Sequence, residues 1–165
     1  MNMNMKRINC GNKTLRAACL CSLLAMLIVL LPGCRKVEPV TADEFQAAME
    51  NMDYTISDIT EDYAQYEYIQ KCVGFEVDGL HVEFFEMDSK DSAVGFYNTN
   101  KADIESKKGT VNTESTVTMG SYRRYKLKTN DTYYIIEQAG TTAVYAYCPK
   151  ADASKLDDVI DAINY

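Results

Sequence analysis

The chain has 165 residues, 47% of them hydrophobic and 25% charged, with 17 lysines and arginines against 24 aspartates and glutamates. That length suits one domain with a real core and leaves little room for a second. The acidic balance argues against nucleic acid as a partner, because nucleic acid rewards basic surfaces.

The first element is a charged and then apolar leader. Lys6, Arg7, Lys13 and Arg16 precede an apolar run over residues 17–31, and no acidic residue occurs before Cys34. This is the order of a secretory signal. The run is shorter than the roughly 20 residues that a membrane-spanning helix needs, and it stops at Pro32-Gly33. Its end, Leu31-Pro32-Gly33-Cys34, resembles the lipobox of bacterial lipoproteins, with Leu31 at −3, Gly33 at −1 and Cys34 as the acceptor. The resemblance implies a diacylglycerol on the Cys34 thiol and cleavage after Gly33. It also implies an anchored position on the extracytoplasmic face of the cell membrane. Two acyl chains hold where one binds only marginally. Losing residues 1–33 removes four basic and no acidic residues, so 13 cations remain against 24 anions, a net charge of −11. Such a charge suits a soluble domain kept off a negatively charged bilayer.

The leader also takes Cys10, Cys19 and Cys21 with it, leaving Cys72 and Cys148 in the folded part. These two either pair as a disulfide or pack as separate thiols; sequence alone leaves both open. Neither has the spacing of a zinc or redox motif.

Residues 34–40 read as the lipidated cysteine and a short tether, and residues 41–165 as a single α+β domain. A helix is expected over residues 42–52. Thr41 and Glu44 have capping-box spacing, Val40 and Phe45 can form a hydrophobic staple, and Phe45, Ala48, Met49 and Met52 line one face. Residues 54–60 are β-branched and extended, and 61–65 acidic and turn-like. A hairpin follows. Val73, Phe75 and Val77 alternate up to Asp78-Gly79, a type I′ turn signal, and Leu80, Val82 and Phe84 alternate away from it. A two-residue loop sets Val77 opposite Leu80, Phe75 opposite Val82 and Val73 opposite Phe84, with all six on one face and buried. The other face then carries Glu76 across from His81, with Glu83 and Phe85 further along.

A second helix is expected over residues 89–108, with Ala93, Val94, Tyr97 and Ile104 inward and Gly109 as its C′ residue. Runs 113–119, 122–128, 132–138 and 141–148, separated by short turns, read as a four-stranded meander. Tyr125, Leu127, Tyr134 and Ile136 are assigned to its core face. A third helix, 153–163, carries Leu156, Val159, Ile160 and Ile163 on one side. Strands grouped between helices point to an antiparallel sheet with the helices packed on one face. In size and layout the exported part is similar to small uncharacterised lipoproteins of Gram-positive bacteria, a likeness that implies no activity.

Chemistry is sparse. There is no nucleophile elbow, phosphate-binding glycine loop, zinc-helix motif or calcium loop, and no cofactor is expected. Glu76, His81 and Glu83 form the one catalysis-like group. They fit either a facial metal triad serving a hydrolase or a solvated cross-strand His–Glu pair. Arg124, Lys126 and Lys128 share a strand face, with Glu137 opposite Arg124. The stripe suits a phosphate or anionic polymer, or else the wet side of a strand guarded against edge pairing. Two tyrosine groups, Tyr63, Tyr66 and Tyr68, and Tyr133, Tyr134, Tyr145 and Tyr147, serve as a recognition platform or as strand packing. Three functional classes follow: a binding module for an envelope protein, peptide or glycan, a metal-assisted hydrolase, and a structural part of an envelope complex.

Overall fold

A computed structural model describes residues Val37–Tyr165; the leader and Cys34 lie outside the described residues. The order of elements is helix α1 (Ala42–Glu50), strands β1 (Ser57–Asp58), β2 (Ile69–Val77) and β3 (Leu80–Met87), and helix α2 (Lys90–Ser106). Strands β4 (Thr113–Met119), β5 (Tyr122–Lys128), β6 (Thr132–Ala139) and β7 (Thr142–Pro149) follow, and helix α3 (Ala153–Ala162) closes the chain. The fold is α+β. Its seven strands form one antiparallel sheet in the order β1-β2-β3-β7-β6-β5-β4. Among the described residues no helix is long and apolar enough to cross a membrane.

Local chemistry accounts for the elements. Thr41 caps α1: its hydroxyl accepts from the Glu44 amide, and the Glu44 carboxylate accepts from the Thr41 amide at 2.7 Å. The helix stops at Glu50, two residues earlier than the apolar periodicity suggests, and Asp53 then turns the chain with a φ of 64°. Ser89 caps α2 by accepting from the Ser92 amide. That helix ends at Ser106, and Gly109 is not the left-handed C′ residue expected of it. Asp78 and Gly79 adopt φ of 51° and 80°, the backbone of a type I′ turn, and the hairpin has the expected register.

The expectation of helices on one face needs correcting. Helices α1 and α3 cover one face, where Phe45, Met49, Leu156 and Ile160 pack with Val73, Phe75, Val82, Phe84, Ile135 and Val144. Helix α2 covers the other, where Ala93 joins Cys72, Phe85 and Ala143, and Tyr97 and Ile104 join Tyr125, Leu127 and Ile136. Tyr97, expected inward with all helices on one face, thus lies across the sheet from Val73, Phe75 and Phe84. The poor alternation of the meander has the same cause. Tyr133 and Ile135 are buried on one face and Tyr125, Leu127 and Ile136 on the other, so strands with two dry faces have little reason to alternate. Tyr134, expected inside, is only half-buried, and Val77, at the mouth of the hairpin turn, is 42% exposed.

Candidate functional site

Strand β4 is exposed along most of its length, but over the central strands the two-helix face is closed, whereas α2 leaves a row of the opposite face open. Strand pairing sets Glu76, His81, Tyr147 and Tyr134 side by side across β2, β3, β7 and β6. Glu83 and Tyr145 occupy the next row. His81, Tyr134, Tyr145 and Tyr147 are all half-buried. The His81 ring stacks on Tyr147 with centroids 4.6 Å apart and planes at 16°, and Tyr147 in turn contacts Tyr134 at 6.1 Å and Tyr145 at 6.0 Å. The result is a continuous aromatic strip with a cation-forming ring at one end.

Around His81 lies a hydrogen-bonded chain. Its Nδ1 is 3.3 Å from Glu76 and its Nε2 3.3 Å from Glu83. Tyr63, from the short 3-10 turn Thr60–Tyr63, donates to the same Glu83 oxygen at 2.8 Å. The Glu83 hydrogen bond, aided by Glu76 and opposed by burial, raises the imidazole pKa above its ordinary 6.5. Burial pushes the Tyr145 hydroxyl up to about 12 and holds Tyr63 in its neutral form. Beside the imidazole a cleft of about 290 Å³ opens over Gly74, walled by Ser57, Ile59, Asp62, Glu76 and Glu83. Gly74 is required where it stands. A Cβ there would meet the Val82 carbonyl oxygen of the neighbouring strand at 2.5 Å.

The structure therefore brings Glu76, His81 and Glu83 together, but not as a facial triad. The carboxylates hold opposite edges of one ring, so both ring nitrogens are engaged and the three donors do not converge. Among the described residues, no group of three His, Cys, Asp or Glu side chains could hold a metal.

The stripe of Arg124, Lys126 and Lys128 also differs from expectation. It sits on an interior strand of the two-helix face, where Lys126 and Lys128 are already engaged and the Arg124 Nε makes no hydrogen bond. Lys126 pairs with Asp157 of α3 at 2.7 Å, Lys128 lies over the Tyr133 ring at 4.4 Å, and Arg124 faces Glu137 at 3.9 Å. No anion site of three free cations remains. Glu137 itself is fully buried; Tyr122 donates to one of its oxygens at 2.7 Å while the other finds no hydrogen bond. Burial raises its pKa above the usual carboxylate value.

Cys72 and Cys148 are buried free thiols in packing clusters on opposite faces of the sheet, which rules out the bridge. Burial raises both thiol pKa values, that of Cys148 to about 11. The tyrosine groups divide as well. Tyr133 is inside under α3, with its hydroxyl on Asp157, while Tyr134, Tyr145 and Tyr147 form the open strip. Sequence reasoning missed that strip's union with His81, because it depends on β3 pairing with β7. Period-2 spacing puts Tyr145 and Tyr147 on one face but cannot name their neighbour strand. Tyr63 as a Glu83 partner left no local signal.

No family model, curated protein or solved structure matches the chain.

Proposed function

We propose that this chain is a lipid-anchored binding module of the extracytoplasmic membrane face, held at Cys34 and meeting a protein, peptide or glycan through the His81–Tyr147–Tyr134 strip. One observation carries the reading. A sheet whose central strands are buried on both faces keeps four half-buried rings, His81, Tyr134 and Tyr147 in one row and Tyr145 in the next, open beside a cleft. Tyrosine suits such a role, since its ring offers apolar area with few rotatable bonds and its hydroxyl adapts to polar groups. Stacked on Tyr147 and held between two carboxylates, the His81 ring is fixed in place before any ligand arrives, which lowers the ordering cost of recognition. The geometry favours the hydrolase alternative less, because Glu76 and Glu83 engage both ring nitrogens of His81 and the three donors do not converge on one position.

NMR shift mapping of the domain over residues 37–165 against soluble fragments of wall peptide and glycan tests the proposal. Perturbations should concentrate on His81, Tyr134, Tyr145 and Tyr147 and disappear in Tyr147→Ala. Perturbations confined to the α1 and α3 side, or binding that survives the substitution unchanged, would rule the strip out as the recognition surface.

A further inference from the structure

The chain enters the fold at a fixed place. Val37 and Val40 pack against the core of the two-helix face. The Pro39 ring fills the space over Gly140, its Cγ only 3.0 Å from where a Cβ on that glycine would lie. Just beyond, the Ala42 amide donates to the Glu86 carboxylate. The Pro39 and Ala42 contacts lie at the end of the sheet where β3 finishes and β6 turns into β7, and a shallow cleft there is lined by Pro39, Val40, Gln70, Glu86, Met87 and Thr141. Gly140, with φ of 58°, makes the turn on which the proline rests.

Only Arg35 and Lys36 lie between Cys34 and Val37, a span of three Cα–Cα steps. At full extension they reach about 10 Å. Strands β6 and β7 have eight residues each, so the two ends of the sheet are about 25 Å apart along them. The tether is therefore much shorter than the sheet it holds. Glu76, His81, Tyr147 and Tyr134 lie towards the far end, next to the Asp78-Gly79 turn and the Asn130-Asp131 loop.

We propose that the Gly140–Thr141 end of the sheet faces the phospholipid headgroups and that the short pinned tether thereby presents the aromatic strip outward. This rests on lipidation of Cys34 in the reading above. The partner of the proximal end is the headgroup layer itself, met at a distance set by covalent reach rather than by specific contacts. The net charge of −11 after cleavage opposes tilting of the domain onto an anionic leaflet.

The experiment uses the full lipidated protein in vesicles of phosphatidylglycerol and phosphatidylcholine, with some lipids carrying a nitroxide headgroup. Thr141→Cys and Asp131→Cys variants carry a fluorophore at the near and far ends; both native thiols of the domain are buried. Quenching should be several-fold stronger at position 141 than at 131. Inserting ten Gly and Ser residues between Lys36 and Val37 should abolish most of that difference. Equal quenching at both positions, or a difference that survives the longer tether, overturns the orientation while leaving the anchor intact. Intact-mass analysis of the same membrane-extracted sample separates the two claims, since an unmodified Cys34 overturns the anchor and the orientation together.

Discussion

The two faces of the sheet are built from the same kinds of residue and finished differently. On one, two helices from the ends of the folded chain close over Phe45, Phe84, Ile135 and Leu156, all essentially without exposure. On the other a single helix, α2, covers Phe85, Tyr125 and Ile136 and stops short of the row through His81 and Tyr147. A sheet face needs covering in proportion to its apolar area. The row left open is the one whose members carry polar tips or charge, so exposing it costs little. The covered areas of both faces bear the stability, and the open row is free to be used.

The sharpest way to break that division is to remove one ring from each side. Phe84→Ala should lower stability by about 3–5 kcal/mol, because Phe84 is fully buried and stacks on Phe45 at 4.9 Å. Tyr147→Ala should cost only about 1 kcal/mol. Chemical denaturation of both variants checks the pair, and comparable losses would mean that the open row is core after all.

A subtler contrast concerns charge. Glu137 is a carboxylate inside the closed face, and its raised pKa means that the folded state prefers the protonated form. Its stability contribution is complete below the ordinary value of 4.5 and is lost as pH rises through the folded value. Glu137→Gln should therefore match the wild type near pH 4 and exceed it at pH 7 by about 1–2 kcal/mol. Urea melts at the two pH values decide it, and a variant less stable at pH 7 would show that Arg124 outweighs burial.

On the open face the corresponding group is His81, and the expected effect is smaller. Its pKa is raised, so its favourable contribution is complete below 6.5 and fades as pH rises through the folded value. The groups facing it are Glu76 from β2, Glu83 from β3, and Tyr145 and Tyr147 from β7, with Tyr63 reaching it through Glu83. Wild type should lose up to about 1 kcal/mol between pH 6 and pH 8 relative to His81→Gln. If the two proteins melt in parallel across that range, the imidazole is not coupled to folding.

Much of the fold was legible in the sequence where local chemistry decides it. Thr41 and Glu44 announce the start of α1, Asp78-Gly79 sets the hairpin register, and the apolar positions of α3 mark its inner side. Legibility failed where the answer lies in distant pairing. Tyr133 to Ile136 read as a strand whose inner face local alternation does not fix, because Tyr133 and Ile135 are buried on one side and Ile136 on the other. The site divides along the same line. Glu76 opposite His81 follows from a two-residue turn, whereas Tyr147 beside His81 follows from a strand more than sixty residues later. The cations of β5 were readable as a stripe, but Asp157, which engages Lys126, lies on a helix whose placement no local pattern reveals.

The sheet order has a further consequence for how the molecule assembles. Strands β2 and β3 join through a tight turn, and β4 to β7 each join the next through a short one, so both groups can form from neighbours in the chain. The seam between β3 and β7 is different. Met87 and Thr142, near its two sides, are separated by roughly 55 residues, and closing a loop of that size costs about 3.5 kcal/mol of chain entropy before any contact across it forms. That seam also places His81 against Tyr147 and sets Phe84 beside Val144. The slow, non-local closure that completes the core is thus the same event that assembles the open strip.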